Sequence, residues 1–335
     1  MPNDTPRPPG IAPPVTPEDV AEAYRWILGR SVESEEVARA HAAAARSPAE
    51  LRRRLLASEE FRAKQPDAAP AVPFVPLLAP PIEVETEAGP EELAAAIAAV
   101  GRYWGTVGEE APHWSVLTND AFRPDRIGQT EAQFYATGEA DLRLVQAVLA
   151  RVGADPAAIR RVCEYGCGTG RATWQLARGF PEVVGLDISA AHLRVAAEWL
   201  ARQGIGNVTL RQVTPAALHP ADGYDLWFSR IVLQHNPPPV MLAILRAAFR
   251  GLSPGGIALF QVPTYAVGYR FRLAEYLAHK AGKRMEMHVV PQRAVLRLAA
   301  EEGLELLELR EDTRFVVSRA ERWVSNLFCL RRGRA

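Results

Sequence analysis

The sequence predicts an α/β protein whose main body is a doubly wound, mostly parallel sheet of seven strands, preceded by an all-helical N-terminal module. Three observations carry this reading. From about residue 160, short apolar runs suited to strands alternate with amphipathic helical stretches. The first of those strands runs straight into a glycine-rich loop. Before residue 150 the apolar residues recur at helical spacing, and proline-rich stretches divide them.

The elements follow in chain order. Residues 1–16 are rich in Pro and polar residues, so they are expected to form a disordered tail. Thr16 followed by Pro17 reads as an N-cap with proline at the first helical position. Val20, Ala23, Tyr24, Ile27 and Leu28 continue at helical spacing, and Gly29 ends the run. Further helices are expected over 33–45 and 48–62, the second capped by Ser47, which completes a module over 17–65. Seven prolines between Pro66 and Pro90 predict an extended linker over 66–90, because proline blocks helix and removes a donor. A helical preface over 91–150 contains Tyr103, Trp104, His113, Trp114, Phe134 and Tyr135.

The sheet domain is expected over 151–335. Its strands are read at 162–165, 183–187, 208–213, 224–229, 257–262, 304–310 and 322–330. Helices are read at 171–178, 190–203, 238–251 and 291–302. Such sheets bind ligands at the carboxyl ends of their strands.

Composition narrows the function classes. Lys+Arg (39) and Asp+Glu (39) cancel, which argues against broad electrostatic capture of nucleic acid. The three cysteines, Cys163, Cys167 and Cys329, are too few for a disulfide framework and lack zinc-ligand spacing, so no metal is expected. No apolar run approaches the roughly 20 residues of a membrane span, and residues 1–17 lack the pattern of a secretory signal. A cytoplasmic protein is the expectation.

The chemistry concentrates in Glu164-Tyr165-Gly166-Cys167-Gly168-Thr169-Gly170. Glycine lets the backbone turn sharply and lets a ligand approach closely. The helix start that follows offers free N–H groups to a carboxylate or phosphate. A dinucleotide fingerprint needs G-x-G-x-x-G, but Arg171 stands at the sixth place here, which disfavours a nicotinamide dehydrogenase. Asp187 ends the second strand, where an acid can accept hydrogen bonds from ribose hydroxyls.

With the E-x-G-x-G-x-G loop, Asp187 and the later Leu-Ser-Pro-Gly-Gly at 252–256, residues 160–262 resemble the core of a class I S-adenosylmethionine (SAM)-dependent methyltransferase. The resemblance implies SAM as cofactor. It places Glu164 near the methionine amino group and Gly166, Cys167, Gly168 and Gly170 along the methionyl and ribose portion. It gives Asp187 the ribose hydroxyls and Ile188 the adenine face. Gln212 and Val213 stand where many relatives carry an acid toward the adenine edge, and Ser229 and Arg230 pass beside the cofactor.

Methyl transfer to a hydroxyl benefits from a base near neutral pH, a task that suits histidine. His235, after the fourth strand, and His288, after the insertion 264–287, are the candidates, with His113 in the preface a third. Each has a packed or cofactor-wall alternative. The insertion holds Arg270, Arg272, Lys280, Lys283 and Arg284, read as a solvated face or as contact with an anionic acceptor. Its Tyr265, Tyr269, Phe271 and Tyr276 are read as a sugar-binding wall or as core.

Residues 20–63 resemble a small helical family of unknown function often found beside glycosyltransferases. The likeness rests on Ala23-Tyr24-Arg25-Trp26-Ile27-Leu28-Gly29-Arg30 and Leu55-Leu56-Ala57-Ser58-Glu59-Glu60-Phe61. It implies a hydroxyl acceptor in a sugar or glycoconjugate, a role in surface-polysaccharide synthesis, and glycan-assembly proteins as partners. Methylation of nitrogen or carbon in another small metabolite, and a non-catalytic SAM-binding scaffold, remain the alternatives.

Overall fold

The computed structural model describes residues 14–64, 79–279, 285–312 and 323–334. The chain divides into two compact units, Met1–Val72 and Pro73–Ala335.

In the first unit, α1 (Pro17–Ala23) continues into a π-helical turn (Tyr24–Leu28), and α2 (Glu35–Ala44), α3 (Pro48–Leu56) and α4 (Glu59–Lys64) follow. Thr16 forms a capping box with Asp19: each backbone N–H donates to the other's side-chain oxygen. Gly29 ends the run in the left-handed region at φ 66°. Ser34 and Ser47 cap α2 and α3. Val20, Tyr24, Leu28, Ala38, Leu51 and Leu55 form the core of the unit. Val15 is buried in that core too, so the expected tail is ordered before Thr16, while residues 1–13 lie outside the described residues.

The second unit opens with β1 (Glu83–Val84), α5 (Pro90–Glu110), α6 (Pro112–Val116), α7 (Ile127–Ala136) and α8 (Glu139–Arg151). Then come β2 (Arg161–Tyr165), α9 (Arg171–Gly179), β3 (Glu182–Asp187), α10 (Ala190–Arg202), β4 (Val208–Gln212), β5 (Tyr224–Ser229) and α11 (Pro238–Gly251). The remainder is β6 (Leu252–Ala266), β7 (Arg270–Phe271), α12 (Leu273–His279), α13 (Gln292–Glu301), β8 (Leu304–Glu311) and β9 (Trp323–Arg332).

The main sheet has seven strands in the order β4-β3-β2-β5-β6-β9-β8. Neighbours from β4 to β6 pair in parallel, and β9 runs antiparallel to both β6 and β8. Side chains alternate between the faces, as strand geometry requires. Ala258, Phe260 and Val262 of β6 join a core with Ile244 and Leu245 of α11 and Val295 of α13. Ile257 and Leu259 join the opposite core with Val145 and Leu149 of α8 and Leu176 of α9. Both faces are therefore covered, which makes the sheet doubly wound.

Two boundaries differ from expectation. The expected linker 66–90 contains β1, which pairs in parallel with β7, and residues 66–78 lie outside the described residues. Arg272 reaches Glu83 at 3.0 Å and the Leu273 N–H donates to Glu85, which adds side-chain ties to that pairing. Strand β6 also begins five residues early. Leu252 already pairs with Tyr224, and the ladder then shifts register to Leu226–Ile257 across the Pro-Gly-Gly bulge.

The preface packs on the sheet domain through an aromatic cluster. Tyr135 of α7 stacks on Trp199 of α10, ring centroids 3.7 Å apart and planes at 3°. Phe122 and Phe134 complete the cluster. The Tyr135 hydroxyl donates to the Thr169 carbonyl in the glycine loop at 3.1 Å, so this packing also positions the site. Replacing Trp199 by Ala is expected to cost about 3–5 kcal/mol of unfolding free energy, read by urea denaturation.

Candidate active site

The order β4-β3-β2 on one side and β5-β6 on the other puts the topological switch between β2 and β5. A cavity of about 330 Å³ opens at the carboxyl ends of these strands. Its wall includes Glu164, Gly166, Cys167, Gly168, Arg171, Asp187, Ile188, Arg230 and His235. Nine residues from separate stretches of sequence are thus brought to one place.

The glycine loop needs its glycines. Gly166 and Gly168 have φ of 76° and 54°, a region that L side chains rarely adopt. A Cβ on Gly166 would overlap the Val232 side chain, and one on Gly168 would lie 2.7 Å from Val116 Cγ2. The loop is held from below by Asp187. One carboxylate oxygen accepts from the Gly168 N–H at 2.7 Å and the other from the Ser189 N–H at 2.8 Å. The Asp187 side chain still lines the cavity.

Glu164 is buried and accepts from the Thr173 hydroxyl at 2.5 Å. Burial pushes its carboxyl up to about 8, against the opposing pull of the Thr173 hydrogen bond and of Arg171. At neutral pH this acid is therefore held protonated. Beside it lies a buried ionic cluster. Asp141 is 2.6 Å from Arg171 and 2.6 Å from Arg230, and Arg230 also reaches Asp312 at 3.4 Å. Each arginine has an acid partner in this cluster.

His235 lies in a 3-10 turn (Leu233–His235), edge-on to Trp104 with ring centroids 5.3 Å apart. Its Nδ1 is 2.9 Å from the Glu286 carbonyl, an acceptor only, so Nδ1 carries the proton and donates. That leaves Nε2 with a lone pair, 3.4 Å from the Gln234 amide nitrogen. Desolvation pushes the His235 pKa down to about 4, so the ring is neutral at physiological pH.

Other expected site residues lie elsewhere. His288 is not on the cavity wall: its Nδ1 meets the Tyr269 hydroxyl at 2.9 Å and its Nε2 meets Glu286 at 3.3 Å. Its backbone N–H donates to the Gln234 carbonyl at 2.7 Å. It thus braces the segment that holds His235. Tyr269, Phe271 and Tyr276 pack around His288, which makes them core there rather than a sugar-binding wall. His113 is buried against Phe134 and Tyr135.

Gln212, Val213, Ser229 and Gly170 are also absent from the cavity wall. Gln212 donates to the Ile188 carbonyl at 3.3 Å, and the Ser229 hydroxyl donates to the Tyr165 carbonyl at 3.0 Å. Gly170 instead forms the left-handed N-cap of α9. In the insertion, Arg270 pairs with Glu275 and Arg272 with Glu83, while Lys280, Lys283 and Arg284 lie outside the described residues.

The structure adds residues that the motif reading passed over. Ser115, His192, Trp104, Met285 and Met287 line the cavity. The Ser115 hydroxyl donates to the Pro112 carbonyl at 2.9 Å, so its oxygen accepts from His192 Nε2 at 2.8 Å. His192 Nδ1 then faces Asp187 at 3.9 Å. A histidine one turn into α10, right after the acid that ends β3, was the available signal.

Comparison with known proteins bears on the cofactor. Residues 162–256 match the family model described as a methyltransferase domain. This segment contains the glycine loop, Asp187 and His235. Over 135 residues the chain is 36% identical to a trans-aconitate 2-methyltransferase of Azoarcus sp. (strain BH72), covering 40% of this chain and 50% of that one. Over 103 residues it is 33% identical to a ubiquinone biosynthesis O-methyltransferase of Pseudomonas fluorescens (strain Pf0-1), covering 30% and 43%. The chain spans about half the length of the curated relatives it matches. A solved magnesium protoporphyrin IX methyltransferase from Synechocystis PCC 6803 with bound SAH superposes with a TM-score of 0.48 at 18% identity, over 70% of this chain and 99% of that one.

The family model and the curated relatives support a SAM-dependent methyltransferase domain, with S-adenosylmethionine as cofactor. The cavity fits that cofactor on its own evidence. Glu164 and Asp187 are acids on the wall that no arginine or lysine among the described residues pairs with, and the cofactor carries an ammonium and a sulfonium. The glycines let Val232 and Val116 close directly on the loop while its backbone still lines the cavity. Among the described residues no cluster suits a metal ion, and no helix is long and apolar enough to cross a membrane.

An ammonium bound beside Glu164 favours its ionised form, so binding should lower that raised pKa and release close to one proton at pH 7. Affinity for SAM should accordingly rise as pH increases toward 8. Calorimetry in two buffers of different ionisation enthalpy measures the released proton directly.

Proposed function

We propose that the protein transfers a methyl group from SAM to a hydroxyl oxygen of a small-molecule acceptor. One observation carries the reading: the acid-lined glycine loop and the neutral His235 share a single cavity. The bound cofactor supplies an electrophilic methyl group; the chain's residues orient and deprotonate. Asp187 and Glu164 offer acceptors to the hydroxyl and ammonium groups of the cofactor. Trp104, Met285 and Met287 supply an apolar wall that excludes water. His235 presents Nε2 as the acceptor for the substrate hydroxyl proton, the substrate displacing the 3.4 Å contact from the Gln234 amide, with its tautomer set by the Glu286 carbonyl.

The acceptor class proposed is a sugar, a glycoconjugate or a related small molecule, in surface-polysaccharide synthesis. Its support is the likeness of residues 20–63 to a family found beside glycosyltransferases, which also makes glycan-assembly proteins the proposed partners and the cytoplasm the proposed location. The matched relatives are named for trans-aconitate and for ubiquinone biosynthesis, so carboxylate and ring-hydroxyl acceptors belong in the same screen. The pKa of about 4 at His235 favours a second reading, SAM binding without turnover, because so weak a base gives little help to an alcohol.

The test begins with titration of SAM and, separately, NADH into the full chain. SAM binding without NADH binding supports the reading, and a folded sample that ignores SAM overturns it. Methyl-labelled SAM with panels of nucleotide sugars, phenols and polycarboxylates then identifies the acceptor. Replacing His235 by Ala is expected to lower turnover by about 10²–10⁴-fold while SAM affinity changes little. Equal turnover in the variant would leave alignment alone as the chain's contribution.

A further inference from the structure

Among the described residues, Ile231 is the one non-glycine residue with positive φ, at 60°. A β-branched side chain strongly resists this conformation, which persists only where the surrounding structure imposes it. Ile231 lies where β5 ends, on the wall of the cavity. Its N–H donates to Gln261 Oε1 at 2.9 Å. Gln261 of β6 is fully buried and cannot swing away. Its amide nitrogen donates to Gln234 Oε1 at 3.3 Å and to the Ser325 hydroxyl of β9.

The kink has a geometric consequence. In a continuing strand, successive side chains would alternate between faces. With the left-handed residue in the middle, Arg230, Ile231 and Val232 all reach the cavity wall. Arg230 there meets Asp141, and Val232 packs where Gly166 has no side chain. The same glutamine reaches His235 in two steps, through Gln234.

We infer that Gln261 is a positioning residue: by holding Ile231 in its strained conformation it sets the Arg230–Val232 turn against the glycine loop and thereby shapes the SAM site. This inference rests on the methyltransferase reading above. Gln261 itself is not on the cavity wall.

The test uses the full chain, thermal unfolding and calorimetric titration with S-adenosylhomocysteine. Ile231→Gly is expected to unfold at a higher temperature than Ile231→Ala, because glycine adopts the left-handed region without strain although it has the more flexible unfolded chain. Gln261→Leu is expected to weaken S-adenosylhomocysteine binding about tenfold although it removes no ligand contact. Gln261→Glu, which keeps the acceptor oxygen toward Ile231 and, protonated at low pH, one donor, should recover part of that loss below neutral pH and serves if the leucine variant does not fold. In the Ile231→Gly background, Gln261→Leu should cost at most about twofold, since the turn no longer needs forcing. Losses that simply add in the double variant, or an Ile231→Gly protein that unfolds earlier than Ile231→Ala, would overturn the inference. Failure of the parent chain to bind S-adenosylhomocysteine would instead strike the methyltransferase reading, and the unfolding comparison would still decide whether Ile231 is strained.

Discussion

The Asp187 carboxylate, shared between the backbone N–H groups of Gly168 and Ser189, is the junction on which the site depends. It ties the loop after β2 to the turn after β3, so the two strand ends open together onto one cavity. The loop cannot be held so close unless its residues lack side chains, which is why Val116 and Val232 can pack directly over Gly168 and Gly166. A contact also runs from Pro112 through Ser115 to His192, whose Nδ1 lies 3.9 Å from Asp187, so the preface is tied to the acid that ends β3. A carboxylate keeps acceptor lone pairs beyond the two that these N–H groups occupy. It is therefore suited to both holding a loop and receiving further donors.

Charge around the cavity is distributed unevenly. Arg171 and Arg230 converge on Asp141, and Asp312 adds a second acid to that cluster. The arginines thereby join α8, α9, the end of β5 and the end of β8. Removing one partner from such a cluster strands a buried charge, which is costly, so its role is to hold these elements in one arrangement. Glu164, a few residues along the chain from Arg171, has a hydroxyl partner instead and is driven toward its neutral form. A cation entering the cavity meets an acid whose proton it can displace, rather than a pre-formed ion pair.

The fold was largely legible in the chain because its signals are local. Thr16 and Ser47 cap the helices they were expected to cap, and Gly29 stops the first run, since each effect acts within one turn of backbone. The apolar runs in β2, β3, β5 and β6 reflect burial on both faces and could be read directly from the sequence. The short β1–β7 pairing was not legible, because two residues at 83–84 acquire partners at 270–271 only through the folded chain. The glycine loop and Asp187 were legible as a site because their spacing serves a backbone geometry. His288 was not distinguishable from His235 by motif: both follow strands of the same sheet, and only packing shows that one lines the cavity while the other braces it.

The sequence by itself determined the strand–helix order, the glycine turn and the acids at the ends of β2 and β3, since these follow from periodicity and backbone sterics over short spans. Tertiary structure decided which histidine meets the cavity, which nitrogen of His235 carries the proton, and how Gln261 imposes a left-handed backbone on Ile231. Those outcomes depend on groups far apart in the chain: Glu286 reaches back to His235, and β6 reaches the end of β5. Local propensity opposes the Ile231 conformation, so no reading of neighbouring residues alone would have placed it there.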